Sequence, residues 1–156
     1  MRREDIDAQL KDASFEFFYW FSRFEFALKG NNCLKDHEPG AKAEPSWEEF
    51  QEKHSADYVA SREARRLIEL HPKRQYVTRN GEPEWKPVGL SHCNDDLCRL
   101  VTMLRTVRNN LFHGGKHGDI DVDRKERNIE LLGCSKAVLD QLAQMAGFTN
   151  DYERYY

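Results

Sequence analysis

Arg108-Asn109-Asn110-Leu111-Phe112-His113 gathers a guanidinium, two amides and an imidazole into one short stretch. If that stretch is helical, Asn109 and His113 stand four residues apart and share a face. The long planar fork of Arg108 reaches the same side. These are the groups needed to cleave RNA without a metal ion. A ribose 2′-hydroxyl attacks the neighbouring phosphorus while a histidine moves a proton near neutral pH. An arginine stabilises the extra negative charge of the pentacovalent transition state. Arg108, His113 and Asn109 are therefore the catalytic candidates, with a helix-end cap as the plain alternative for Asn109.

The charge around this stretch is uneven. The chain has a formal charge of −3, from 24 Lys and Arg against 27 Asp and Glu. Between Leu97 and Gly118 there is no acidic residue, while Arg99, Arg105, Arg108, Lys116, His113 and His117 all fall in that window. A local basic segment in an acidic chain suits an anion, although an ordinary solvated helix face is the competing reading. Arg105 and Lys116 are the candidates for holding backbone phosphates, with a solvated loop lysine the alternative for Lys116.

Other groupings are weaker. Arg65 or Arg66 with His71 repeats the Arg-to-His spacing, but Ile68-Glu69-Leu70 precedes His71 and Pro72 follows it, and Arg66 is followed by Leu67 and not by a polar residue. His113 and His117 have the spacing of a zinc pair on a helix, and Gly114-Gly115 breaks the helix between them. The cysteines at 33, 93, 98 and 134 form no paired Cys-x2-Cys pattern. His92, Cys93 and Cys98 are the one metal-like cluster, without a fourth ligand nearby. The expectation is four small buried hydrophobes in a reducing cytosol, with no metal and no cofactor.

The elements that must position the motif read as helices. The length of 156 residues suits one domain, and 39% hydrophobic residues with 12% aromatic allow a real core. No apolar run is long enough to cross a membrane. The charged start, MRREDIDAQLKD, lacks a secretory pattern, so a cytoplasmic location is expected. Ile6, Leu10, Ala13, Phe17, Phe21, Phe24 and Leu28 recur at helical spacing and predict a helix from Asp5 to Lys29, stopped by Gly30-Asn31-Asn32. Phe15, Phe18, Tyr19, Trp20 and Phe26 widen its apolar surface, as in a central helix or a subunit interface.

Residues 33–45 read as a loop. Ser46 is the N-cap of a helix from Trp47 to about Lys53, with Glu49 completing a capping box. A further helical stretch runs from Ser55 to Leu70 and ends at His71-Pro72. Asn80-Gly81 between short β-prone runs allows one short hairpin at most. A helix capped by Asn94 or Ser91 carries Leu97, Leu100, Val101, Leu104, Val107, Leu111 and Phe112 and delivers His113 to its last turn before Gly114-Gly115. After a loop over Lys116 to Val122, a last helix spans Asp123 to Met145, with Gly133 a weak point and Gly147 its end. The tail from Asp151 is expected to be loosely held.

The arginine-to-histidine spacing, the polar residue directly after the arginine, and the position at the end of a long apolar helix followed by a second one resemble the signature of the HEPN superfamily. The resemblance covers residues 3–29 and 91–147. It implies an all-α, antiparallel four- or five-helix bundle over residues 1–150, with a loop-rich insertion at about 31–90. It also implies a metal-independent endoribonuclease of the toxin or defence type. Such an enzyme leaves a 2′,3′-cyclic phosphate and a 5′-hydroxyl. It would work as a homodimer, with an antitoxin as a further partner, because one motif histidine cannot serve both sides of the scissile bond. By the same resemblance Glu25, between Phe24 and Phe26, would buttress Arg108 from the first helix, its alternative being a solvent-facing acid. The rival expectations are a non-catalytic module of this family that binds RNA, a nucleotide or a partner protein, and a purely structural bundle.

Overall fold

The computed structural model describes residues 7–113 and 124–154. Its elements, in chain order, are α1 (Ala8–Gly30), α2 (Trp47–His54), α3 (Arg62–Leu70), β1 (Lys73–Val77), β2 (Pro83–Pro87), α4 (Asp96–His113), α5 (Lys125–Met145) and α6 (Thr149–Tyr152). The chain is mainly helical, as the periodicity indicates, with one small antiparallel hairpin.

The first helix buries the stripe that its spacing marks out. Phe17, Phe21, Phe24 and Leu28 are buried, while Phe15, Phe18 and Phe26 are exposed. Asp7 caps the helix by accepting from the Leu10 N–H at 3.0 Å. At the other end the left-handed residue is Asn32, with φ of 59°. The Cys33 N–H then reaches back to the Leu28 carbonyl at 2.9 Å, and the Asn32 N–H to that of Lys29 at 3.4 Å. Gly30 therefore belongs to the helix, and an asparagine makes the turn.

The middle of the chain holds two short helices and the hairpin between loops, and it contributes to the core. Trp47, Phe50, Ala64, Leu67 and Val88 join the same core as α1, α4 and α5. Ser46 does cap α2, accepting from the Glu49 N–H at 3.1 Å. The Glu49 carboxylate does not close the box. It turns to the preceding segment, accepting from the Leu34 N–H at 3.1 Å and lying 2.7 Å from the His37 ring. Together with the Ser46 N–H on the Cys33 carbonyl at 2.8 Å and the Lys35 N–H on that of Glu44 at 3.0 Å, this ties residues 33–46 into a closed ribbon. A loop whose backbone bonds are satisfied by a helix-borne carboxylate holds one shape.

Helix α3 begins only at Arg62, capped by Ser61, whose hydroxyl accepts from the Ala64 N–H at 3.1 Å. Residues 55–60 are not helical, which corrects the longer stretch expected from Ser55. His71 ends α3 in the left-handed region at φ 43°. The hairpin follows, with Lys73 opposite Pro87 and Val77 opposite Pro83. Both prolines sit at strand ends, where a missing N–H does least harm. Gly81 supplies the positive φ of the turn, 82°.

Helix α4 is capped by neither Asn94 nor Ser91. Asp95 accepts from the Cys98 N–H at 2.8 Å and does that work. Leu97, Leu100, Val101, Leu104 and Val107 face the core, whereas Phe112 stands 54% exposed. Cys93 and Cys98 form a disulfide across the start of this helix, and Cys33 and Cys134 are free. The expectation of four unpaired cysteines is thereby corrected.

Helix α5 runs through Gly133 without a break. It closes at Gly147, φ 72°, with the Phe148 N–H on the Ala143 carbonyl at 2.8 Å. It packs against α1 and α3, and α6 packs against α1. The tail is not loose as far as Arg154. Tyr152 is buried, its hydroxyl donates to Asp140 at 2.8 Å, and the Arg23 guanidinium binds the carbonyls of Asp151, Tyr152 and Arg154. Among the described residues, no helix is long and apolar enough to cross a membrane.

Candidate functional site

The long regular helix α4 positions the motif. Because it continues without interruption to His113, its register sets His113 one turn beyond Asn109 on the same face. The His113 side chain, Lys116 and His117 lie outside the described residues, as do Gly114 and Gly115.

Arg108 is half-buried and held on three sides. Its Nη1 donates to the Asn109 Oδ1 at 2.9 Å. Its guanidinium carbon lies 4.8 Å from the centre of the Phe112 ring and 5.9 Å from that of Phe21. Phe112 is in turn edge-on to Phe18 on α1, with ring centres 5.0 Å apart. The charge is therefore braced by aromatic faces and an amide. Among the described residues no carboxylate forms an ion pair with Arg108.

Arg108 and Asn109 open onto a cleft of about 490 Å³. Its walls come from Phe21 and Glu25 of α1, Lys35 and residues 42–45 of the ribbon with Trp47 at the start of α2, and Arg105, Arg108 and Asn109 of α4. Four cations and two carboxylates line it, so it is locally positive in a chain of formal charge −3. Lys35 and Lys42 both reach Glu44, at 3.1 Å and 2.9 Å. The two ammonium groups hold the Glu44 carboxyl below its usual range, Lys42 contributing most. These pairs are exposed, and such pairs are easily exchanged for another anion.

Each candidate outside the motif is placed differently. Arg105 lines the cleft and pairs with Glu48 at 2.8 Å. Glu25 lines it too, but as the acceptor of the Trp47 indole N–H at 3.1 Å. No Glu25 to Arg108 pair is formed among the described residues, so the expected buttress is instead a tie between α1 and α2. The indole N–H of a buried tryptophan needs such a partner, and Glu25 supplies it. Asn110, next in the chain, faces elsewhere and donates to the Lys73 carbonyl of the hairpin at 2.8 Å. The decoy pair is structural: Arg66 forks onto Glu130 at 2.6 Å and 3.1 Å, and His71 lies 2.9 Å from the Val88 carbonyl.

Lys35, Lys42 and the aromatic floor of Phe21 and Trp47 were not legible as site residues. The one sequence signal was the Ser46 cap, which fixes where Trp47 starts its helix. Nothing local says that the preceding ribbon folds against α4. No family model matches the chain, and neither a curated protein nor a solved structure matches it.

Proposed function

We propose that the chain is a metal-independent endoribonuclease of HEPN type, and that the cleft beside Arg108 receives the RNA backbone. The observation that carries this reading is the Arg108 guanidinium itself: aromatically braced, hydrogen-bonded to Asn109 and without a carboxylate ion pair among the described residues. A charge so placed suits an anionic group that carries more charge in the transition state than in the ground state.

In the proposed reaction the ribose 2′-oxygen attacks phosphorus and His113 moves the proton, while Arg108 neutralises the phosphoryl oxygens. Asn109 keeps the guanidinium oriented. The 5′-oxygen leaves with a proton, giving a 2′,3′-cyclic phosphate and a 5′-hydroxyl. Lys35, Lys42, Arg105 and Lys116 hold flanking phosphates. The resemblance adds a toxin or defence role in the cytoplasm, a homodimer that brings two His113 side chains to one substrate, and an antitoxin that silences it.

The test is cleavage of single-stranded RNA in EDTA by the wild type and by His113→Ala and Arg108→Ala. Expected is cleavage by the wild type alone, ending in a cyclic phosphate. RNA left intact by the wild type, or cut equally by His113→Ala, overturns the enzymatic reading. A second reading, a non-catalytic RNA-binding module, is favoured by the carboxylates Glu25 and Glu44 in the cleft, which temper its charge. It predicts RNA binding that Arg108→Ala weakens, with no cleavage by any variant.

A further inference from the structure

At the opposite end of α4 stands a second group of reactive side chains that the proposed chemistry does not use. One ring nitrogen of His92 and the sulfurs of Cys93 and Cys98 all lie within 4.8 Å of one another. Thr102, one turn into the helix, places its hydroxyl 3.2 Å from the His92 Nε2 and 3.6 Å from the Cys93 sulfur. Twelve residues of α-helix separate the helix start from Arg108, about 18 Å along the axis, so this cluster is not part of the cleft.

We propose that this cluster is a redox-gated site for a thiophilic divalent cation, zinc above all: closed as the Cys93–Cys98 disulfide, and open to metal once that bond is reduced. Two molecules of a small thiol reduce it. Their sulfurs join as an external disulfide, the Cys93–Cys98 bond breaks, and each cysteine takes up one proton. Metal binding then releases both protons as the two thiolates coordinate.

The geometry suits that switch. Zinc takes thiolate sulfur at about 2.3 Å and imidazole nitrogen at about 2.0 Å, so tetrahedral donors stand less than about 4 Å apart. Only small side-chain movements separate the three donor atoms from that arrangement, because they are already gathered. Cys98 lies in the first turn of α4, where the helix dipole favours a thiolate. His92 is exposed, with its ring nitrogen against the Thr102 hydroxyl, whereas Cys93 is buried and anchors the site. Three protein ligands leave the fourth position to water, beside the Thr102 hydroxyl. Cys33 and Cys134 sit elsewhere, after α1 and on α5, and take no part.

The experiment uses the full chain, reduced with a phosphine and freed of metal, then titrated with Co²⁺ and competed with Zn²⁺. Expected is one Co²⁺ per chain with thiolate-to-cobalt charge-transfer absorption, displaced by Zn²⁺ and abolished by oxidation with diamide. Cys93→Ser should lose the absorption, His92→Ala should bind at least tenfold more weakly, and a Cys33→Ser/Cys134→Ser double variant should bind as the wild type does. In the wild type, Zn²⁺ should protect the Cys93 and Cys98 peptides from alkylation, read by mass spectrometry without any substitution. Reduced wild type that shows no thiolate-bound cobalt, or zinc that leaves both cysteines equally open to alkylation, overturns the proposal.

Discussion

The Arg23 Nε donates to the main-chain carbonyl of Tyr152 at 3.1 Å, so a cation on the first helix holds the last turn of the chain. Arg23 is only 2% exposed, and its fork serves two neighbouring carbonyls as well. Arg23→Met removes the donors and leaves the buried Tyr152 carbonyl and the partly buried Asp151 carbonyl without this partner. The expected loss is on the order of 2–4 kcal/mol, read as a lower urea midpoint with an unchanged slope. Arg23→Lys should recover little, because one ammonium cannot reproduce the planar fork. A variant as stable as the wild type would show that the tail does not need this anchor.

Lys35 and Lys42 connect the ribbon to the proposed RNA site. Each phosphate contact removed should lower the slope of log affinity against log salt by about one and weaken binding similarly for all sequences. Lys42→Ala and Lys35→Ala should both show this in fluorescence anisotropy with a short RNA. Lys11→Ala, exposed on α1 and outside the cleft, should not. Equal effects at all three positions would mean that the attraction comes from overall charge and not from this cleft.

Asn110 links α4 to the hairpin through its bond to the Lys73 carbonyl, and Arg74 adds a second link, its Nη2 donating to the Thr106 hydroxyl at 3.0 Å. Asn110→Ala is expected to cost about 1–2 kcal/mol and to speed amide exchange in Lys73–Val77. The amides of α4 near Leu100 and Leu104, buried in the core, should keep their protection. Exchange that rises evenly through the whole chain would contradict a local anchor.

Glu49 makes the ribbon sensitive to acid. The His37 ring contributes most to holding its carboxyl below the usual 4.5, and the Leu34 N–H and Lys53 act in the same direction. A carboxyl whose folded value is depressed adds stability above the unfolded value and loses it as pH falls through the folded one. Stability of the wild type should therefore drop more steeply below about pH 4.5 than that of Glu49→Gln. Urea midpoints measured at neutral pH and on the acid side give the comparison. Parallel acid slopes for the two proteins would remove Glu49 from the account.

The motif and its helix were readable because the information is local. Hydrophobic spacing of three and four residues placed Phe17, Phe21, Phe24 and Leu28 on one face, and the same rule ran α4 to His113. Ser46 announced the start of α2, and Asn80-Gly81 announced the hairpin, since capping and turn chemistry act over a few residues. Where two local signals competed, sequence could not decide. Asp95 displaced Asn94 and Ser91 as a cap, and Glu49 left the capping box for the Leu34 N–H and the His37 ring.

By itself, then, the sequence determined the cores of α1, α2, α4 and α5, the buried stripe of α1 and the candidate Arg108, Asn109 and His113 at one helix end, because each follows from neighbours within a turn or two. Only the tertiary structure decided that Lys35 and Lys42 face Arg108, that Glu25 serves Trp47, and that Arg23 grips the carbonyls around Tyr152. Those contacts join residues 22 to 131 positions apart. Their partners are selected by packing of the shared core, which no short-range pattern encodes.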